Sequence, residues 1–210
     1  MNRWGVAAAL VVGVGLGVLS ADGWRLDIDA VTVVSGVQST WVLLPWVAAL
    51  LLARSPREGV PLGAACGLVA ISSYYLYEAV AYTLHSATSQ LTSAGAFWIP
   101  ASTAVGGLFG WFGVVAARSG RPAPYAWAAM VVPFVGEAIY VWHVDGSFVP
   151  GIARLTVTFL LAVAVLLTLL GLRRFPARRF ALALPVALAV GLVAFAGAIW
   201  LEHTFAYVTL

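Results

Sequence analysis

The chain contains no lysine and a single cysteine, and only 9% of its 210 residues are charged. Without a lysine amine, a retinal Schiff base and a pyridoxal enzyme are both excluded, since each forms through that amine. The lone Cys66 excludes an intrachain disulfide and a multi-cysteine metal site. Soluble domains carry roughly 25% charged residues, so the low charge argues against a water-soluble fold.

Apolar residues are abundant instead. They make up 62% of the chain, and the mean hydropathy is +0.99. A soluble fold of this size could not bury so much apolar surface, whereas a lipid bilayer can act as its solvent. The length suits a single transmembrane helical domain that covers residues 1–210.

Seven apolar stretches predict an all-α, polytopic membrane bundle of seven transmembrane helices. Most stretches reach the roughly 20 residues needed to cross a bilayer, and lipid forces backbone groups to pair within each segment. The first stretch resembles a signal peptide, but its apolar core is longer than usual, and we expect it to be retained. The stretches lie near residues 4–20, 37–53, 59–84, 95–117, 124–144, 152–172 and 180–201.

The arginines predict a cytoplasmic N-terminus and an outside C-terminus. With the N-terminus inside, nine arginines lie on the cytoplasmic side, and only Arg25 and Arg154 lie outside. Such an excess of positive charge in short cytoplasmic loops is the usual signature of orientation. The use of arginine in place of lysine, with much Ala, Gly and Val, indicates a bacterial cell (inner) membrane.

Two glutamates, Glu78 and Glu137, lie inside predicted spans. A carboxylate at mid-membrane costs about 2.5–3.5 kcal/mol on insertion scales, so intramembrane acids are functional candidates. The structural alternative is a protonated glutamate that bonds a neighbouring helix. No intramembrane arginine lies at these depths, and desolvation therefore favours the neutral acid, which can donate a proton. We predict Glu78 and Glu137 as catalytic residues.

Aromatic residues accompany both acids. Tyr74 and Tyr82 share a helix face with Glu78, and Pro133 predicts a kink near Glu137, of the kind that lines a cavity. Many aromatic side chains would simply face lipid or headgroups, but a subset around the acids would make a cage whose ring faces attract cations. The predicted substrate-binding residues are Tyr74, Tyr75, Tyr82, Trp41, Trp98, Phe134, Tyr140, Trp142 and Trp200.

Metal and cofactor motifs are missing from the sequence. It has no DDxxD aspartate run, Walker loop, GxSxG elbow or HExxH pair. Three histidines and several acids on the outer side permit zinc geometrically, but their spacing matches no zinc signature. We therefore predict no metal site, no cofactor and no nucleic-acid partner.

Short motifs resemble those of an uncharacterised bacterial family of seven-helix membrane proteins. They are Trp41 with its following apolar run, residues 67–78 with the Tyr74–Tyr75 pair, residues 106–113, and Gly136–Glu137 with Tyr140. In that family an Asn-Ser pair shortly precedes the tryptophan, whereas residues 35–40 here read SGVQST. This resemblance implies a fold but no activity.

The architecture also resembles the integral membrane terpene cyclases of meroterpenoid and indole-terpenoid pathways. That resemblance implies proton-initiated, class II-type cyclisation by membrane-embedded acids. We therefore expect a metal-independent terpene cyclase that acts on a prenylated, farnesyl-type lipophilic substrate among membrane lipids. The alternatives are a small proton-coupled transporter, for which paired hairpins and intramembrane acids are typical, and a non-catalytic lipophile-binding membrane subunit. The oligomeric state, the substrate and the roles of the two acids stay open.

Overall fold

A computed structural model of the chain describes residues 2–22, 33, 37, 39–81, 94–144 and 150–205. Apart from short turns and isolated positions, these residues are helical, as predicted. The helices in the described part of the chain are α1 Arg3–Asp22, α2 Ser39–Leu52, α3 Pro56–Ala81, α4 Ala94–Ala117, α5 Ala123–Ala128, α6 Val131–Val144, α7 Pro150–Arg174 and α8 Ala177–Phe205.

Six segments of the described chain are long and apolar enough to cross a membrane, which supports a multi-pass membrane protein. They are Arg3–Asp22, Pro56–Ala81, Gly95–Ala117, Ala123–His143, Gly151–Arg174 and Ala177–Gly197. Helix α2 is also apolar but has only 14 residues. At 1.5 Å per residue it is about 21 Å long, which is less than the roughly 30 Å of bilayer hydrocarbon.

The predicted stretch 124–144 corresponds to one apolar segment of the described chain, Ala123–His143, but this segment contains two helices, α5 and α6. Pro133 has no N–H for the carbonyl of Ala129, and its ring would clash with that carbonyl in a continuous helix. The helix is interrupted at this point, and the Met130 N–H donates to the Trp127 carbonyl at 3.0 Å instead. The break therefore lies about two turns before Glu137, whereas the sequence predicted a kink beside it.

The helices associate in two groups. Helix α3 packs against α1, α2 and α4, and α2 also packs against α4, so α1 to α4 form one group. In the other group, α6 packs against α7, and α8 packs against α5 and α6. The two groups meet where α4 leads into α5 and where α2 contacts α6.

Helices α3 and α4 approach each other at the level of their backbones. A Cβ built on any of the α3 glycines along this line would stand well inside contact distance of a carbonyl on α4. The opposed pairs are Gly59 with Gly110, Gly63 with Gly106, and Gly67 with Ser102. Small residues at every fourth position allow such an approach, which is a common way for helices to associate in lipid.

The arginine-rich turns gather at one end of the bundle, which we call the basic end; it comprises residues 53–55, 118–122 and 173–179. The Arg118 guanidinium donates to the Arg54 carbonyl at 2.9 Å, and the Arg174 guanidinium donates to the Ala117 carbonyl at 2.9 Å. Arg174 also lies 5.7 Å from the centre of the Trp127 ring. These contacts join turns that are far apart in the sequence.

Beneath the basic end lies the main apolar core. Trp46 of α2 meets Trp127 of α5 edge to face, with ring centres 5.0 Å apart. The Trp127 indole N–H donates to the Leu167 carbonyl at 2.9 Å. Phe134 and Phe180 are fully buried in the same cluster. This core fixes the second group of helices against the first.

Candidate functional site

Glu137 is held by a serine from another helix. Its side chain is only 6% exposed, and its Oε2 accepts two hydrogen bonds from Ser39. The Ser39 backbone N–H donates at 2.7 Å and the Ser39 hydroxyl at 2.5 Å. Ser39 itself is 3% exposed. The two residues are 98 positions apart in the chain, so the contact joins the two helix groups.

The short length of α2 explains why an acid is needed at this point. The first N–H groups of a helix have no partner within the helix, and inside lipid each unpaired group costs several kcal/mol. Helix α2 begins at Ser39, about 21 Å from its end at Leu52. Glu137 supplies an acceptor there, where the helix dipole also favours negative charge. Glu137 therefore stabilises the start of α2, in addition to any part it takes in proton transfer.

An aromatic trio follows directly on α2 and α3. Trp41, one of the first residues of α2, meets Tyr74 of α3 edge to face with ring centres 6.0 Å apart. Tyr74 in turn meets Tyr75 at 5.2 Å. Tyr75 is 7% exposed, whereas Trp41 and Tyr74 are half-buried. Three of the predicted substrate-binding residues therefore come together.

Glu78 lies one turn beyond Tyr74 on α3 and is half-buried. It is three residues before Ala81, where the described part of the helix ends. It is less enclosed than Glu137, and no serine of the described chain binds it. Tyr82, predicted on the same face, lies outside the described residues.

The first turn of α2 is the link between the two acids. Helix α3, which carries Glu78, and helix α6, which carries Glu137, are not packed side by side in the described chain. Helix α2 contacts both of them, through Trp41 on one side and Ser39 on the other. The structure therefore connects the acids through α2 and not through a shared α3–α6 wall.

The other predicted aromatic residues are scattered. Phe134 is fully buried in the main core, one turn from Glu137, and Tyr140 is half-buried. Trp98 is half-buried and meets its neighbour Phe97 edge to face. Trp142 and Trp200 are 59% and 64% exposed. Their rings therefore stand on the outside of the bundle, as expected for residues that face lipid.

Potential metal ligands do not cluster in the part of the chain that the structure describes. No group of three or more His, Cys, Asp or Glu side chains there could hold a metal ion. His143 is exposed at the end of α6. His85 and the side chain of His203 lie outside the described residues.

Comparisons of the whole sequence with protein-family models, with curated proteins and with solved structures gave no match. The interpretation of the site therefore depends on its own residues.

Sequence reasoning missed Ser39 as a partner of Glu137. A serine just before an apolar run is a typical helix-start signal, and that signal was available. Its carboxylate partner could not be read from the sequence, because the contact is tertiary. The opposed glycines of α3 and α4 were also missed, although their spacing of four residues is a recognisable packing pattern.

Proposed function

We propose that the protein is a membrane-embedded terpene cyclase, which protonates a prenylated, lipophilic substrate and closes rings in it. The observation that carries the proposal is the buried Glu137 carboxyl, fixed by Ser39 at the start of the helix that holds Trp41 against Tyr74. A positioned carboxyl can transfer protons, and aromatic ring faces stabilise a nearby cation. The carboxyl and the aromatic rings both contact the first turn of α2.

The proposed reaction balances as an isomerisation. A carboxylic acid adds its proton to the terminal alkene of a farnesyl-type chain, which leaves positive charge on the neighbouring carbon. A second alkene attacks that carbon and forms the ring bond, so the charge moves along the chain. A carboxylate then removes a proton from a carbon next to the final cation. The product has the formula of the substrate.

The hydrogen bonds at Glu137 support a division of roles between the acids. Both Ser39 donors are directed at Oε2, so this oxygen serves as an acceptor. Such a carboxyl suits the removal of the final proton and the stabilisation of positive charge. Glu78, which is half-buried beside the aromatic trio, is then the proton donor.

We also propose that the protein lies in a bacterial inner membrane and crosses it seven times. Its N-terminus would be cytoplasmic and its C-terminus outside. The six long apolar segments of the described chain support a multi-pass protein, and α2 would be the seventh crossing. The gathering of arginine-rich turns at one end supports the orientation, since positive charge is retained on the cytoplasmic side.

Glutamine variants test the proposal. Glu137→Gln keeps a carbonyl that can accept from Ser39, but it removes the titratable proton. Purified protein in detergent, given a farnesylated aromatic substrate, should form a cyclic isomer. Both Glu78→Gln and Glu137→Gln should lower turnover by about 10²–10⁴-fold, the usual contribution of acid–base catalysis, while the melting temperature stays near the wild-type value.

Glu58→Gln is the matched control. Glu58 accepts the Arg54 backbone N–H at 2.7 Å at the basic end, remote from the aromatic trio. The Glu58→Gln variant should have the same turnover as the wild type. Near-normal turnover in both Glu78→Gln and Glu137→Gln would remove the acids from the mechanism and contradict the proposal.

The second candidate is a proton-coupled transporter. It is favoured by the place of the Ser39–Glu137 bond, which crosses the boundary between the two helix groups. Buried acids between two moving halves are typical of carriers. A carrier should accumulate substrate in vesicles under a pH gradient and should make no new product. A cyclase should convert its substrate in detergent with no gradient.

A further inference from the structure

An open apolar groove lies on the outer surface of α3 and α4, beside the line of opposed glycines. Its volume is about 450 Å³, within the usual range of small-molecule sites. Val60, Leu108 and Trp111 are its large apolar lining residues, and Ala64 and Gly107 are small ones. The remaining lining residues are Thr103 and Ala104.

The groove is both apolar and fixed in shape. The one hydroxyl in the lining, that of Thr103, already donates to the Ile99 carbonyl at 2.7 Å. The small lining residues Ala64 and Gly107 follow directly after Gly63 and Gly106, where the two helices are in backbone contact. The groove therefore offers a preformed surface that is almost entirely apolar, which suits an apolar occupant.

Positive charge lies at the end of the groove that is nearer the basic end. Arg57 is exposed and precedes Val60 by three residues and Ala64 by seven, so the three residues share a face of α3. Just beyond the end of α4, Arg118 follows Trp111 by seven residues and is exposed. An occupant with an apolar chain and an anionic head would match this arrangement.

A second copy of the chain fits the groove less well. Both copies have the same orientation in a membrane, so a two-fold dimer would bring the basic ends together. Arg57 of both copies would then lie at the same end of the dimer, and like charges repel. Charge complementarity favours an anionic occupant.

We propose that this groove binds an anionic phospholipid, with an acyl chain against Trp111 and the phosphate at Arg57. The site is separate from the acids and does not depend on the proposed catalytic function. The lipid would anchor the rigid α3–α4 pair in the leaflet at the basic end.

Fluorescence quenching tests the site in the full-length protein. Brominated phosphatidylglycerol or brominated phosphatidylcholine is titrated into the purified protein in detergent, and the quenching lost in Trp111→Phe is assigned to Trp111. Phosphatidylglycerol should quench Trp111 at lower concentration than phosphatidylcholine. Arg57→Gln should weaken the phosphatidylglycerol effect about fivefold, as expected for one arginine–headgroup contact, and leave the phosphatidylcholine effect unchanged.

Gly107→Leu tests the groove itself. A Cβ at Gly107 would lie 3.6 Å from Val60, in ordinary contact, so the larger side chain can fill the groove without forcing the helices apart. This variant should abolish the lipid-dependent quenching of Trp111. Gly15→Leu, at an α1 position with nothing within 4 Å, and Arg154→Gln, at the opposite end, are the matched controls and should behave as wild type.

Three results would overturn the proposal. Equal quenching of Trp111 by the two lipids would show that charge does not select the occupant. Undiminished quenching in Gly107→Leu would show that the chain lies elsewhere. A wild-type dimer that Gly107→Leu converts to a monomer would show that a second copy of the chain fills the groove.

Discussion

The close packing of α3 and α4 makes Gly63→Ala the most informative stability variant. Its added methyl group would overlap the Gly106 carbonyl and stand 2.8 Å from the Gly110 Cα. Both obstacles are backbone atoms, which cannot turn aside as a side chain can. Carbon atoms prefer to be about 3.5–4.0 Å apart, so the two helices must separate locally by roughly 1 Å. The neighbouring glycine pairs would then also lose contact.

Gly107→Ala is the control that isolates this effect. Both substitutions gain helix propensity, about 1 kcal/mol at most, and both add one methyl group to the same pair of helices. At Gly107 the new methyl group meets Val60 and Ala64 at 3.6–3.7 Å and displaces nothing. The difference between the two variants is therefore the cost of overpacking, which is about 1–3 kcal/mol.

Unfolding by a denaturing detergent, followed by circular dichroism, measures this difference. We expect Gly63→Ala to unfold at a lower denaturant fraction than wild type, and Gly107→Ala to unfold at the same fraction or a higher one. Equal stability of the two variants would refute the backbone-level contact between α3 and α4.

Three further predictions concern the site, the core and the topology. Ser39→Ala removes one of the two hydrogen bonds that Ser39 donates to Glu137 and should lower the free energy of unfolding by about 1–3 kcal/mol; no loss would contradict the bond. Arg174→Gln should cost about 0.5–1 kcal/mol and shift tryptophan emission, since the guanidinium leaves Trp127; unchanged emission would count against that contact. A cysteine replacing Ser119 should be protected from an impermeant reagent in whole cells, and ready labelling there would overturn the orientation.

The positions of the helices could be predicted from the sequence because lipid imposes simple rules. The stretches 4–20, 95–117, 152–172 and 180–201 correspond to α1, α4, α7 and α8 within a few residues. Apolar length and the need to pair every backbone group are local properties, so no tertiary information is required.

The prediction of helix boundaries was less accurate where a proline removes a backbone hydrogen bond. The stretch 124–144 was read as one kinked helix, but the missing N–H of Pro133 and the clash of its ring separate α5 from α6 at Ala129 and Met130. The sequence shows that a proline is present, but packing decides whether the helix bends or breaks.

The partners of the candidate site could not be predicted, because they depend on which helices are neighbours. Glu137 was recognised as a candidate because a carboxylate inside a membrane costs free energy. Its hydrogen-bond partner Ser39 could not be recognised, because the two residues are 98 positions apart. The aromatic trio was only partly foreseen: Tyr74 and Tyr75 are adjacent in sequence, whereas Trp41 reaches them from another helix. Trp142 and Trp200 were assigned to the substrate because they lie in or beside predicted spans, and both are mostly exposed.

Product analysis in heavy water tests the central proposal most directly. Purified protein in detergent, with no gradient, is given a farnesylated aromatic substrate in H₂O and in D₂O, and the products are compared by mass spectrometry and NMR. Proton-initiated cyclisation predicts an isomer of unchanged mass in H₂O and the gain of one deuterium at the protonated carbon in D₂O. A cyclic product without deuterium, or no product together with gradient-driven uptake in vesicles, would contradict it.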